Sequence, residues 1–270
     1  MKEKYVLTEY ALPAGLSQNL TIGLVSDIHE RNMEKILALL RQGKPDLIMV
    51  AGDTFERYGT DMDAADRDAR KILKEGAGTK LIRHILMRLD DLFDGISGKR
   101  THDPENAYQF LREAGKIAPV FLSPGNHEWY WLPEDLNAID ETKTRLLDNQ
   151  DCEVEIKGIS VRIGGLSTEA DFEWLENFCG KDGYKILLCH HPEYYEPFLK
   201  GKNINLILSG HAHGGQIRIR NQGIYAPGQG LFPKYTKGIY DGKLIVTTGA
   251  ANTASVPRWG NPCEVVMIQI

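Results

Sequence analysis

The sequence lacks the marks of several large classes of protein. Its four cysteines, Cys152, Cys179, Cys189 and Cys263, form no C-x-x-C pair. Neither a zinc knuckle nor a redox dithiol is indicated, and reduced thiols are the simplest expectation. No segment approaches the ~20 apolar residues of a membrane helix. Residues 1–10 are charged and hold no signal-peptide core. Basic residues are not in excess: 32 Lys and Arg stand against 37 Asp and Glu, a formal net charge of −5. The broad basic footprint of a nonspecific nucleic-acid binder is therefore missing. There is no G-x-x-x-x-G-K-[ST] loop and no G-x-S-x-G turn, which excludes a P-loop nucleotide hydrolase and a nucleophile-elbow hydrolase. No internal repeat of solenoid length occurs. These absences leave a cytoplasmic globular protein without a transmembrane segment and without specific nucleic-acid binding.

What is present is a series of five short polar motifs, each where an apolar run stops. They are Asp27-Ile28-His29, Gly52-Asp53, Gly125-Asn126-His127-Glu128, His190-His191-Pro192 and Gly210-His211-Ala212-His213-Gly214-Gly215. Asp and His are common donors to Mn, Fe, Zn and Co. Open α/β sheets build their sites beyond strand ends, which is where all five motifs fall.

The runs themselves read as buried strands: Leu20 to Ser26, Leu47 to Ala51, Pro119 to Leu122, Tyr184 to Cys189 and Leu206 to Ser209. Asn32 to Gly43 has helical spacing and a glycine stop, and Pro133 to Asn149 reads as a helix with proline at its start. Val154 to Ile163 predicts a hairpin turning at Lys157-Gly158. Ile217 to Ile219, Leu244 to Thr248 and Val265 to Ile270 supply late strands. Residues 57–105 hold no motif and read as two helices, either an outer-layer insertion or a cap over the site. His84 and His102 fall in this segment and read as ordinary helix and loop histidines. The expected fold is α/β, a four-layer αββα sandwich of two mixed β-sheets flanked by helices, in one domain over 1–270.

The five motifs, in this order, resemble those of the calcineurin-like metallophosphoesterases. The resemblance runs from about Leu20 to the C-terminus. The stretch Gly210 to Gln216, Tyr235-x-x-Gly238-x-Tyr240 and Arg258-x-x-Asn261-Pro262 resembles the branch of cell-wall-associated phosphoesterases and UDP-diacylglucosamine pyrophosphatases. One departure is Glu56, where many relatives carry Asp in G-D-x-x-D.

The resemblance implies two divalent ions, Mn first among the candidates, ligated by Asp27, His29, Asp53, Asn126, His190, His211 and His213. Asp53 would bridge them. Both His190 and His191 could reach the site, and the family pattern selects His190, two residues before Pro192. His127 is implied to be catalytic, with Glu128 holding its ring as outer-shell partners commonly do. The implied reaction is hydrolysis of a phosphodiester or pyrophosphate by in-line attack of a metal-bridging hydroxide. A phosphomonoesterase and a non-catalytic metal-binding scaffold are the alternatives. The substrate would be a small phosphate ester or a lipid- or nucleotide-linked one. At least one of Trp129, Tyr130 and Trp131 should pack into the core. The alternative is that Trp129 or Trp131, with Phe232, walls the substrate site.

Overall fold

The computed structural model describes residues 3–57, 103–226, 228–252 and 257–270. Two six-stranded sheets face each other. The first runs, in spatial order, Tyr5–Ala11, Cys263–Gln269, Thr21–Val25, Leu47–Ala51, Val120–Ser123 and Arg145–Leu146. The second runs Gly238–Tyr240, Leu244–Val246, Leu206–Ser209, Tyr184–Cys189, Ile159–Leu166 and Gln150–Ile156. Both are mixed. Their central strands pair in parallel. Antiparallel pairing occurs where Cys263–Gln269 meets Thr21–Val25 and at both edges of the second sheet.

The period-two alternation of strand side chains produces the layers. Leu47–Ala51 is buried at every residue because both of its faces are covered. Leu47, Met49 and Ala51 join Ile186, Leu188 and Leu208 of the opposite sheet. Ile48 and Val50 instead pack on Ile36 and Leu40 of helix Glu34–Gly43 and on Phe110 of helix Pro104–Gly115. Beyond the second sheet, Leu187 and Ile207 meet Leu175 and Phe178 of helix Phe172–Gly180. The architecture is the expected four-layer αββα sandwich.

Local differences have local causes. The hairpin turns at Lys157 (φ 52°) and Gly158 (φ 75°), the paired positive φ that suits a two-residue hairpin. The helix that begins at Pro133 stops at Glu141 rather than continuing to Asn149. Lys143 takes φ 55°, and Arg145–Leu146 then joins the first sheet beside Phe121 and Leu122. The helix expected from Asn32 starts at Glu34, whose N–H is accepted by Asn32 Oδ1 at 3.1 Å. Strand Tyr5–Ala11 and helices Pro104–Gly115 and Phe172–Gly180 were not expected from the sequence. Both helices carry an aspartate cap, Asp103 accepting from Glu105 N–H and Asp171 from Trp174 N–H. The insertion expected over 57–105, with His84 and His102, lies outside the described residues apart from its ends.

Candidate metal centre

Each motif leaves a parallel strand at its C-terminal end, so the five loops converge on one rim of the sandwich. Their backbones are strained. Asp27 (φ 57°), His29 (φ 50°), Asp53 (φ 56°), His211 (φ 62°) and His213 (φ 43°) all lie in the left-handed region. Such conformations cost roughly 1–3 kcal/mol each and persist only where neighbours enforce them. The neighbours are visible: Asp27 N–H donates to Gly52 O, His29 N–H to Asp53 O, and Ala251 N–H to Asp27 O. Glycine makes the close approach possible. A Cβ on Gly210 would lie 1.7 Å from Ser26 Oγ and 2.7 Å from Asp27 Oδ2.

The donors fall into two groups, buried apart from the partly exposed His213 and Asn126. Asp27, His29 and His213 offer atoms within 4.8 Å of one another, and Asp53, His190 and His211 do the same. Asp53 stands between the groups. Its Oδ2 lies 3.1 Å from His190 Nε2 and 3.6 Å from His29 Nε2. Asn126 joins the second group, with Oδ1 3.1 Å from His190 Nε2.

The chemistry of these atoms fits divalent cations. His190 Nδ1–H donates to Ala51 O at 2.7 Å, which turns Nε2 toward the Asp53 and Asn126 oxygens. Acceptors facing one point require a positive charge between them. Here a proton meets that demand: burial pulls the His190 pKa down, but the Asp53 carboxylate outweighs it and raises the ring to about 10. His29 is oriented the same way, with Nδ1 on Glu56 Oε1 at 2.7 Å and Nε2 buried without a hydrogen bond. Asp27 Oδ2 is likewise buried and unbonded. Buried polar atoms left in this state are uncommon, and a cation between these two would satisfy both. Burial holds His211 down to about 3 and His213 to about 4, so both rings are neutral at pH 7. His213 is the exception in orientation. Arg258 Nη2 faces its Nδ1 at 3.0 Å, which puts the ring proton on Nε2, 3.3 Å from Asp27 Oδ1. To ligate through Nε2, His213 must exchange tautomer and Arg258 must withdraw.

His127 sits beside both groups. Its Nε2 is 3.9 Å from Asp53 Oδ2, and its Nδ1 is 2.8 Å from Glu56 Oε2. Burial lowers its pKa, yet Asp53 and Glu56 together raise it to about 9. The partner expected to hold this ring, Glu128, has another task. Its carboxylate accepts backbone N–H groups from Asp53, Thr54, Phe55 and Gly125 and so fastens the Asp53 loop to the Asn126 loop. Glu56 holds the ring instead.

Further residues of the site were not assigned from the sequence. Glu193 Oε1 lies 3.6 Å from His211 Nε2 and 3.1 Å from His191 Nδ1, and His191 Nε2 meets Thr168 Oγ1. His191 is therefore a buried neighbour of the donors. Arg57 makes a two-point contact with Asp135, donates to Glu30, and takes its own backbone N–H to His127 O. Asn261 Nδ2 donates to His213 O and Gln216 O, which together with Arg258 explains the late Arg258-x-x-Asn261 pattern. The Gly-Asp-x-x-Glu spacing is the sequence signal for Glu56. Glu193 and Arg57 had none.

The aromatic residues divide. Trp131 packs edge-on against Phe55, 5.9 Å between centroids, and belongs to the helix-side core rather than to a substrate wall. Trp129 is half-buried and donates Nε1–H to Asn126 O at 2.8 Å. Phe232 is 65% exposed.

The chain is similar to known proteins. A sequence model of the calcineurin-like phosphoesterase family matches residues 20–215. A metallophosphoesterase of Caenorhabditis elegans is 24% identical over 287 residues and matches 93% of this chain, which spans about half, 48%, of that protein. An uncharacterised metallophosphoesterase of Aquifex aeolicus is 25% identical over 287 residues, covering 99% of this chain and 90% of its own. The crystal structure of a phosphopantetheinyl hydrolase from Mycobacterium tuberculosis aligns over 88% of this chain and 95% of its own, with 11% identity and a TM-score of 0.43. Among the described residues, no helix is long and apolar enough to cross a membrane.

Proposed function

Because the chain belongs to the calcineurin-like phosphoesterases, metal-dependent phosphoric ester hydrolases, we propose that it cleaves a phosphodiester or pyrophosphate with two divalent ions. Asp27, His29 and His213 would hold one ion, Asn126, His190 and His211 would hold the other, and Asp53 lies within reach of both. When bound, the ions supply Lewis-acid polarisation of the phosphoryl group and a water acidified toward neutrality. Mn leads the candidate metals, and Fe, Zn and Co suit the same mixed donors. The observation that carries the proposal is Asp53: one carboxylate oxygen faces a nitrogen from each donor group, at 3.1 Å and 3.6 Å.

The protein's own groups then have distinct tasks. Glu56 occupies His127 Nδ1, so Nε2 is the nitrogen turned toward Asp53, on the side where the ester would bind. His127 carries a proton at neutral pH and gives it to the leaving oxygen as the P–O bond breaks. The neutral ring keeps Nδ1–H on Glu56 and can recover the proton at Nε2. Bound cations would draw on the charge of Asp53, which leaves Glu56 to keep His127 charged. Trp129, half-buried beside Asn126, offers an aromatic surface to the organic part of the ester.

The test compares bis(p-nitrophenyl) phosphate with p-nitrophenyl phosphate, before and after chelation and with Mn²⁺ restored. Metal-dependent turnover of the diester ahead of the monoester is expected. Turnover of the monoester alone would make the protein a phosphomonoesterase. Two bound ions without turnover of either compound, or of a nucleotide pyrophosphate, would make it a non-catalytic scaffold.

A further inference from the structure

The loop of His211 and His213 runs on into two small ribbons. Arg218–Ile219 pairs with Gln222–Gly223, and Tyr225–Ala226 pairs with Gly230–Leu231. The ribbons are joined side by side. Ile224 N–H donates to Ile217 O, Phe232 N–H to Ile224 O, and Gln222 Nε2 to Pro233 O. Trp259 reaches the same patch from the C-terminal side, where its carbonyl accepts Arg218 N–H at 2.8 Å. Hydrogen-bonded neighbouring segments thus carry Trp259, Phe232 and Ile219. These are 71%, 65% and 64% exposed, the highest values of any large apolar residue among the described ones. Single exposed apolar residues are ordinary, but three on one small patch are the mark of an interaction site.

Charge points to the partner. Residues 211–240 contain four Lys and Arg and no Asp or Glu, in a chain whose formal net charge is −5. Lys234 is paired with Glu196 and Lys237 with Glu264. Arg218 hydrogen-bonds Gly214 O, Thr236 Oγ1 and Asn221 O, none of them a carboxylate. Arg220 is exposed at the ribbon turn. Glu3, which shares a cavity wall with Trp259, is accompanied there by Lys4. The patch therefore combines standing apolar side chains with one exposed guanidinium, that of Arg220, which has no ion-pair partner among the described residues.

We propose that this rim docks on an anionic lipid surface. Trp259, Phe232 and Ile219 enter the boundary between headgroups and acyl chains, where tryptophan is favoured, while Arg220 meets lipid phosphate. A second copy of the chain is a poorer fit. A stable dimer buries roughly 800 Å² on each partner, more than a few side chains on ribbon tips supply. Docking would bring the His211–His213 loop, at the base of the ribbons, to the bilayer surface. The proposal is independent of the hydrolytic chemistry, because binding is read without turnover.

The experiment is co-sedimentation of the full chain with phosphatidylcholine vesicles, with and without phosphatidylglycerol. The expected result is salt-sensitive binding to the anionic vesicles alone. Trp259→Ser and Ile219→Ser should each weaken it, and Arg220→Glu should weaken it about thirtyfold, because the local charge changes by two. Unchanged melting temperatures in these exposed-site variants show that the fold is kept. No binding by the wild type, or equal binding by all three variants, overturns the proposal. A concentration-dependent dimer that disappears in Trp259→Ser would assign the rim to a second copy and overturn it as well.

Discussion

Glu56 Oε2 lies 2.8 Å from His127 Nδ1, and this contact decides which ring nitrogen faces Asp53. The other oxygen of the same carboxylate holds His29 Nδ1 at 2.7 Å. An amide at this position keeps the shape but can accept from only one of the two rings. Glu56→Gln should therefore lower kcat by about 10–100-fold, the usual effect of losing an outer partner at a metal site. Glu56→Asp should restore part of it. Full activity in Glu56→Gln, with a normal metal content by elemental analysis, would remove Glu56 from the site.

Asp53→Asn should nearly abolish turnover and reduce bound metal, since the carboxylate that faces both donor groups loses its charge. Retention of both ions together with wild-type rate would sink the two-ion proposal.

His127→Ala should behave differently. Both ions should stay, while kcat drops by roughly 10²–10⁴, the scale of a positioned acid–base group. Loss of an ion in that variant would move His127 among the ligands.

Gly210→Ala tests the close approach of the loops. The added methyl would meet Ser26 Oγ and Asp27 Oδ2, neither of which has room to yield inside the buried loops. Overpacking of this kind costs about 1–3 kcal/mol. In the wild type, Mn²⁺ at 100 times its dissociation constant should add about 2.7 kcal/mol of stability. The variant should melt lower and gain less from Mn²⁺ in thermal scans. An equal gain would show that the glycine is not needed to place Asp27.

Arg57→Met should strand two buried carboxylates, Asp135 and Glu30, at a cost of about 3–5 kcal/mol. Burial alone would raise the Asp135 pKa, but Arg57 and the Leu132 N–H outweigh it and hold the carboxyl below its usual range. A carboxyl depressed on folding adds stability above its unfolded pKa and loses it as pH falls through the folded one. The difference in urea midpoint between wild type and Arg57→Met should thus be full at neutral pH and shrink below the ordinary aspartate range. A difference that does not vary with pH would mean that the arginine acts by packing alone.

The convergence of the five motifs was legible because each follows an apolar run, and parallel strands end such runs on one rim; the choice of seven ligands among their residues came from the family resemblance. Glu56 and Glu128 show what local sequence does not carry. Their partners lie more than 70 residues away, at His127 for one and at the Asp53 loop for the other. Adjacent residues invited the pairing of Glu128 with His127, whereas the fold offered Glu128 four amides. Strand Tyr5–Ala11 was hidden because it is a half-exposed edge with Glu9 and Thr8 among its residues. The helix from Pro133 was overextended because its spacing continues into Arg145 and Leu146, which the sheet edge claims.

The two donor groups do not belong to separate sheets. Asp27, His29, Asp53 and Asn126 come from loops of the first sheet, and His190, His211 and His213 from loops of the second. Each proposed ion would thus act as a rivet through both plates of the sandwich at their common rim. Chelation should release that rim before the middle of the sheets. Amide hydrogen exchange at the ends of Leu47–Ala51 and Leu206–Ser209 should then rise together, because neither plate can loosen there without letting go of the other.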